Sequence, residues 1–427
     1  MAAIDYHTLT IEILSKSLAE KNRIKKRYTL FQLNEDLHQR GVLQLQMNNG
    51  VKTDYYEKAK PEKIIESMYN ISELSEKEIF LLSVFSVLPA QNILFDHLES
   101  ILSGADSLEN SVSALSRKGW IEYEMLSIFD SENEKTIIKI SPVVQEIVRK
   151  QNKERLADDT QGLVSGLIDK LVYDPSTGVL ISSSYLDGVE YVRYAETVCS
   201  RLRSAGAGYN LSILYERLGS YFSAYGNLEK ALKYFEEFAG LMKELYEADP
   251  KNAGFKNGLA ISYEKLGSTH TALGNLEKAL KYFEEFAGLM KELYEADPKN
   301  AGFKNGLAIS YSKLGETHTA LGNLEKALKY FEEDTQLTKE LYEADPKNAG
   351  FKNGLAISYA KLGQFFVKHK NDAEAGLPYF LKAQSIWREL KDSFPAYVEF
   401  TKYYNQVTEE IFRLNELRNG SERNFTK

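Results

Sequence analysis

Residues 273–285 read LGNLEKALKYFEE, the same stretch returns at 321–333, and YGNLEKALKYFEE occupies 225–237. The offset is 48 residues each time. Asp249-Pro250, Asp297-Pro298 and Asp345-Pro346 keep that spacing, as do Tyr215, Tyr263, Tyr311 and Tyr359. Three nearly identical units therefore run from about 215 to 358, and a diverged fourth follows to about 395. Self-similarity at a fixed period of tens of residues is the signature of a stacked-repeat architecture.

Inside a unit the apolar residues recur with helical period. In the second unit Ile261, Tyr263, Leu266 and His270 form one series and Gly274-Asn275 break it. Leu276, Ala279, Leu280, Phe283, Phe286, Met290 and Leu293 form the next. This predicts two antiparallel helices, the second stopped at Asp297-Pro298 because proline disfavours αR in the residue before it. One such pair leaves an apolar face wet, so each unit needs its neighbours and the stack shares one core.

At these residues the units resemble tetratricopeptide repeats. The pattern of an aromatic, Leu-Gly, an aromatic, Ala and Phe is met at Tyr215, Leu218, Gly219, Phe222, Ala231 and Phe235. It is met again at Tyr263, Leu266, Gly267, Ala279 and Phe283, and at Tyr311, Leu314, Gly315, Ala327 and Phe331. His270 and His318 replace the second aromatic, and the 48-residue period exceeds the usual 34 or so of the family. The extra length is assigned to longer helices and their joint, KELYEADPKNAGFKNGLA. The fourth unit matches at Tyr359, Leu362, Gly363, Phe366, Phe380 and Ala383, with an inserted residue and Pro378. Trp387, Phe394, Tyr397, Phe400, Tyr403 and Tyr404 then predict a terminal capping helix before a frayed polar tail, NGSERNFTK.

The resemblance implies that a peptide lies on the inner face of the first helices. It places there Glu216, Ser220 and Ser223, then Glu264, Ser268 and Thr271, then Ser312, Glu316 and Thr319. The fourth set is Ala360, Gln364 and Val367. These small hydroxyls and acids disfavour a clamp for a C-terminal carboxylate and favour a basic or neutral peptide; a merely solvated face is the alternative. A second candidate is an apolar stripe of Phe238, Met242, Phe286 and Met290, whose counterparts in the third unit become Asp334 and Thr338. An unpartnered buried Asp is costly, so either this face is open to solvent at unit three or its neighbour changes there. The recurring His270 and His318 lack further ligands at metal spacing and read as interior residues.

Composition narrows the class. The 427 residues carry 53 Lys plus Arg against 61 Asp plus Glu, a net charge of −8, and 43% are apolar. Acidity counts against general nucleic-acid binding, which rests on clustered basic side chains. The single cysteine, Cys199, excludes an internal disulfide and a cysteine-based zinc cluster. Neither a membrane-length apolar run nor a secretory signal pattern is present, so the cytoplasm is the expected location, with no membrane partner.

Before the array, Ser75-x-x-Glu78 forms a capping box ahead of IFLLSVFSVLP. Helical patterns follow at about 92–102 and 108–118, then WIEYEML and TIIKI read as strands around SIFDSENEK, and a helix starts at Pro142. Helix, helix, helix, strand, wing, strand, helix resembles a winged helix. Its second-last helix, SLENSVSALSRK, carries Glu109 early and bases only at Arg117 and Lys118, while the wing is acidic; both disfavour DNA. The segment further resembles the winged helix of signal-transduction ATPases of the NB-ARC type, through LSVFSVLP, SVSALSRKGWIEYE and IKISPVVQEIVRKQ. HTLTIEILSKSL resembles their small helical module, and SYLDGVEYVRYAETVCSRL their bridge to a repeat sensor. No GxxxxGK[ST] occurs, and the expected Gly-x-Pro and His read Tyr6-His7-Thr8 and Ser141. The resemblance then implies a chain without the ATPase core, paired with an ATPase-bearing partner or descended from a nucleotide-dependent switch.

The expected fold is mainly α: a small helical module (1–72), a winged helix (73–152), a helical bridge (153–207), a tetratricopeptide-like α-solenoid (208–395) and a capping helix with tail (396–427). No catalytic constellation is present, and no cofactor or metal is expected: GxSxG, HExxH and GxGxxG are missing, and the recurring acid pairs read as solvated helix surface. The expected function is a non-enzymatic interaction scaffold for a peptide or protein. The alternatives are a DNA-binding regulator with a repeat sensor, and the switch remnant.

Overall fold

The computed structural model describes residues 69–102, 108–127, 134–172, 185–206 and 208–425, with side chains as far as Glu416, together with Ser15, Leu18, Asn22, Thr29, Phe31 and Gln32. The expected helical module, with Tyr6-His7-Thr8, and the tip of the wing lie outside the described residues apart from those isolated positions. The chain forms two compact units that divide between Tyr225 and Gly226, inside the first sequence repeat.

In the first unit, Ser75 caps α1 (Glu76–Val87): its hydroxyl accepts from Glu78 N and the Glu78 carboxylate accepts from Ser75 N at 2.8 Å. That helix is apolar around most of its girth and correspondingly buried. β1 (Ile93–Leu94), α2 (Phe95–Ile101), α3 (Leu108–Arg117), β2 (Glu122–Ser127), β3 (Glu134–Lys139) and α4 (Pro142–Gln151) follow. The strands make an antiparallel sheet in the order β1-β3-β2, with Ile93 opposite Ile138 and Tyr123 opposite the same residue on the other side. β1 is an addition to the expected order.

Gln145 on α4 donates to the carbonyls of Phe85 and Leu88, both at 2.8 Å, and so satisfies acceptors at the C-terminal end of α1 before Pro89. The short α5 (Leu156–Asp159) and α6 (Gln161–Lys170) lead to α7 (Tyr185–Leu202). His97 on α2 meets Asp187 on α7 at 3.1 Å, and Tyr194 accepts from Leu94 N at 3.2 Å. α8 (Tyr209–Ala224) ends this unit.

The second unit is a run of long helices: α9 (Leu228–Ala248), α10 (Ala253–Ala272), α11 (Leu276–Ala296), α12 (Ala301–Ala320), α13 (Leu324–Ala344), α14 (Ala349–His369), α15 (Ala373–Ser393) and α16 (Val398–Phe425). Each packs on the next, the arrangement of a tetratricopeptide-like solenoid. Helices of 20 and 21 residues account for the long repeat period. Asn252, Asn300 and Asn348 each accept two backbone N–H bonds at the start of a first helix. Gly274 and Gly322, at φ +77° and +78°, turn the chain between the helices of a pair, a conformation that costs any residue with a Cβ. Lys256 and Lys304 tie three helices together, each ammonium over the ring of Tyr246 or Tyr294 and bonded to Glu292 or Glu340.

Small residues set the helix spacing. A Cβ on Gly267 would lie 2.6 Å from Phe283 Cε1, and one on Gly315 would lie 2.7 Å from Phe331 Cε1. Ala279, Ala327 and Ala383 are fully buried. At the far end Val407, Ile411 and Leu414 of α16 cover Trp387 and Leu390. The tail expected to fray is instead part of α16, which continues through Phe425 across Asn419-Gly420.

Gly267→Ala is expected to destabilise the chain by about 1–3 kcal/mol through overpacking against Phe283. Gly288→Ala, where nothing lies within 4 Å of a Cβ, is expected to stabilise it by about 0.5–1 kcal/mol. Urea titrations of both variants check the opposite signs; equal shifts would contradict the close helix approach.

Candidate functional site

The first helices present one solvent-facing stripe each. On α10 it runs through Ile261, Glu264, Lys265, Ser268 and Thr271, spaced three or four residues apart as one helix face requires. Ser268 donates to Glu264 at 2.8 Å, and Thr271 donates to the Gly267 carbonyl at 2.9 Å. On α8, in the other compact unit, Ser220 donates to Glu216 at 2.7 Å and Ser223 is half-buried. Ser220, Ser268 and Thr271 thus spend their protons within their own helices, and Glu216 and Glu264 lie 3.4 Å and 3.9 Å from Arg217 and Lys265.

The stripe on α12 is wired differently. Ser312 is buried, and Lys361 of α14 donates to it at 2.6 Å while pairing with Glu316 at 2.7 Å. Thr319 bonds the Gly315 carbonyl, as Thr271 does in the preceding unit. Ala360, Gln364 and Val367 on α14 are half-buried or exposed. The candidate positions are therefore brought onto repeated first-helix faces, Ser220 and Ser312 being the buried members.

Two apolar residues on this face are not singled out by the sequence pattern. Ile261 and Ile309 are 38% and 42% exposed, although the helical period assigns Ile261 to the interior series. Ile261 and Tyr263 stand about 200° apart on a helix, so both cannot point inward. Their recurrence 48 residues apart, beside Glu264 and Glu316, is the signal that could have found them.

The alternative docking stripe is corrected. Phe238, Met242, Phe286 and Met290 are all buried, because each Met reaches the glycine of the next first helix. A Cβ on Gly258 would collide with Met242 Cε, and one on Gly306 with Met290 Cε. Asp334, at the position of Phe286, is also buried rather than open to solvent, at 4% exposure, so here it is the neighbouring contact that changes.

His270 and His318 lie in the interior, ring against ring with Tyr282 and Tyr330 at 5.5 Å and nearly parallel. Phe366 occupies the equivalent place in the fourth unit and stacks on Tyr379 in the same way. Burial pushes both histidines below their ordinary value, with Lys278 and Lys326 adding to the effect. Among the described residues no group of three or more His, Cys, Asp or Glu could hold a metal ion. No described helix is long and apolar enough to cross a membrane.

These histidines predict a pH effect. Their folded pKa lies below the unfolded 6.5, so the unfolded chain binds more protons near that pH and stability rises as pH climbs through it. The double variant His270→Phe with His318→Phe, which follows the example of Phe222 and Phe366, is expected to fold and to lose this contribution, so that its stability rises less with pH than that of the wild type in thermal melts at pH about 5 to 7. An unchanged slope would contradict the neutral, stacked rings.

Among solved structures, similarity is found to MamA (residues 41 to the end) from Desulfovibrio magneticus RS-1, at 16% identity and TM-score 0.30, covering 47% of this chain and 86% of that one. BtubC (BKLC) from P. vanneervenii is 14% identical with TM-score 0.38, over 57% of this chain and 84% of its own. The apo form of RapI is 15% identical with TM-score 0.33, over 63% and 94%. No curated protein matches the chain. Residues 258–340 match the family model described as Tetratricopeptide repeat, and the hairpins of α10 to α13 are of that type.

Proposed function

We propose that the chain is a non-enzymatic interaction protein that holds a basic or neutral peptide or protein segment against the exposed faces of its first helices. The observation that carries this reading is the repeated stripe of one exposed isoleucine, one carboxylate and small hydroxyls, on α10 and again on α12. A helical pair locked by Gly against Phe presents that stripe without further ordering, so little conformational entropy is lost on binding. The exposed isoleucine and the threonine recur at one spacing, 261 and 271 then 309 and 319, which favours a ligand with a repeated apolar group.

In this proposal Glu264, 3.9 Å from Lys265, attracts a basic group more readily than Glu316, which Lys361 holds at 2.7 Å. The first unit of the fold, with three helices around an antiparallel sheet, supports a winged-helix reading, and it passes occupancy of the array to a further partner, an ATPase-bearing one in the fuller form of the proposal. Duplex DNA is not the favoured ligand. Lys118 is paired with Glu78 at 2.6 Å and Lys139 with Glu124 at 3.0 Å, while Glu109 stands exposed at the start of α3.

The 427-residue chain assayed against basic, neutral and acidic peptides is expected to capture the first two classes. Ile261→Asp combined with Ile309→Asp is expected to weaken capture by at least about tenfold, or ~1.4 kcal/mol. Preference for acidic peptides, or capture indifferent to both substitutions, would overturn the reading. A sequence-specific, salt-sensitive shift of duplex DNA would favour the regulator instead.

A further inference from the structure

The second and third repeats, residues 251–298 and 299–346, differ at six positions: Glu264 and Ser312, Ser268 and Glu316, Phe286 and Asp334, Ala287 and Thr335, Gly288 and Gln336, Met290 and Thr338. Five of the six changed residues in the third repeat converge on one place, the seam between α13 and α14. Thr338 lies 3.0 Å from Ser358 of α14, and Ser358 reaches Thr335 at 3.4 Å. Lys361 of α14 holds Ser312 and Glu316. Asp334 sits among them, faced by the hydroxyls of Ser312 and Ser358 and by the Lys361 ammonium. The sixth change, Gln336, bonds Glu340 at 2.9 Å on the outer side of α13.

At the corresponding seams, α9/α10 and α11/α12, methionines fill the gap, Met242 against Gly258 and Met290 against Gly306. Gly354 of α14 keeps that glycine, yet nothing lies within 4 Å of a Cβ there, so its socket is unfilled. A buried carboxyl has thus replaced an apolar knob at one joint of an otherwise uniform stack. Ionised, it is a charge taken out of water, and the hydroxyls of Ser312 and Ser358 and the Lys361 ammonium offset only part of that cost. Burial pushes Asp334 up to about 7, with Glu316 adding to the rise and Lys361, Ser358 and Ser312 opposing it.

Several other charged or titratable groups on the two helices packed against α13 have partners of their own. On α12, Lys304 holds Glu340, His318 stacks on Tyr330 and Lys313 is half-buried; on α14, Lys352 holds Glu389, and Tyr359 rests against Tyr379. On α13 itself, Lys329 pairs with Glu333 and Lys339 with Glu343 along its surface.

We propose that the α13/α14 seam is a proton-sensitive joint: it is tight while Asp334 holds a proton and loosens when the proton leaves, freeing α14 to α16 from the hairpins before them. The sign is that of a carboxyl whose folded pKa is raised. Its contribution is present at low pH and is lost as pH rises toward and past neutrality, opposite to the two stacked histidines.

Hydrogen exchange on the full chain, corrected for intrinsic rates, separates the two seams. Between pH of about 5.5 and about 8, opening of α14 amides is expected to rise by roughly tenfold relative to α12 amides. In Asp334→Asn that relative rise is expected to vanish. Asp334→Phe with Thr338→Met, which refills the Gly354 socket, is expected to abolish it too and to raise protection of α14. A rise of equal size in α12 and α14, or one that persists in Asp334→Asn, would overturn the proposal. Should the double variant fail to fold, wild type against Asp334→Asn decides alone.

Discussion

Aromatic rings and methionines driven into gaps that only glycine leaves open hold the array together. Phe283 occupies the space a side chain at Gly267 would take, and Met290 does the same at Gly306. The first contact fastens the two helices of a pair, the second fastens one pair to the next. Dispersion at such short range depends steeply on fit, so a methyl group in either gap separates the backbones. The aromatic stacking of His270 and His318, the lysine straps and the alignment of the exposed stripes all presuppose that spacing.

Much of this is legible in the chain itself. The 48-residue period and the Leu-Gly, Ala, Phe pattern lead to paired helices, because Gly267, Ala279 and Phe283 have a packing meaning independent of context. Ser75 and Glu78 likewise locate a helix start from four residues. β1 is not legible, since Ile93 and Leu94 are too few to show any alternation. The facing of Ile261 is misread when an apolar residue is counted into a series whose geometry excludes it. The Lys361 bridge to Ser312 spans 49 positions and depends on which first helices are neighbours, information no local pattern carries.

Asp334 is the instructive intermediate. Sequence poses a choice between an open face and a changed neighbour, because a lone carboxylate cannot be buried cheaply. Only the packing of α14, with Ser358 and Lys361 turned toward it, decides for the second. Near-identical repeats make such a departure informative: whatever holds the other joints is the reference against which one polar joint is measured. The exposed stripe changes at the same unit, through Ser312 and Glu316, so the seam and the candidate binding face are altered together.

The most direct test of the account is a double-mutant cycle on Met290 and Gly306. If the methionine fills the glycine gap, Gly306→Ala alone is strongly destabilising, and the same change made in a Met290→Ala background costs far less, giving a coupling of about 1 kcal/mol or more. Strict additivity of the two substitutions in urea unfolding would contradict knob-in-gap packing between the hairpins.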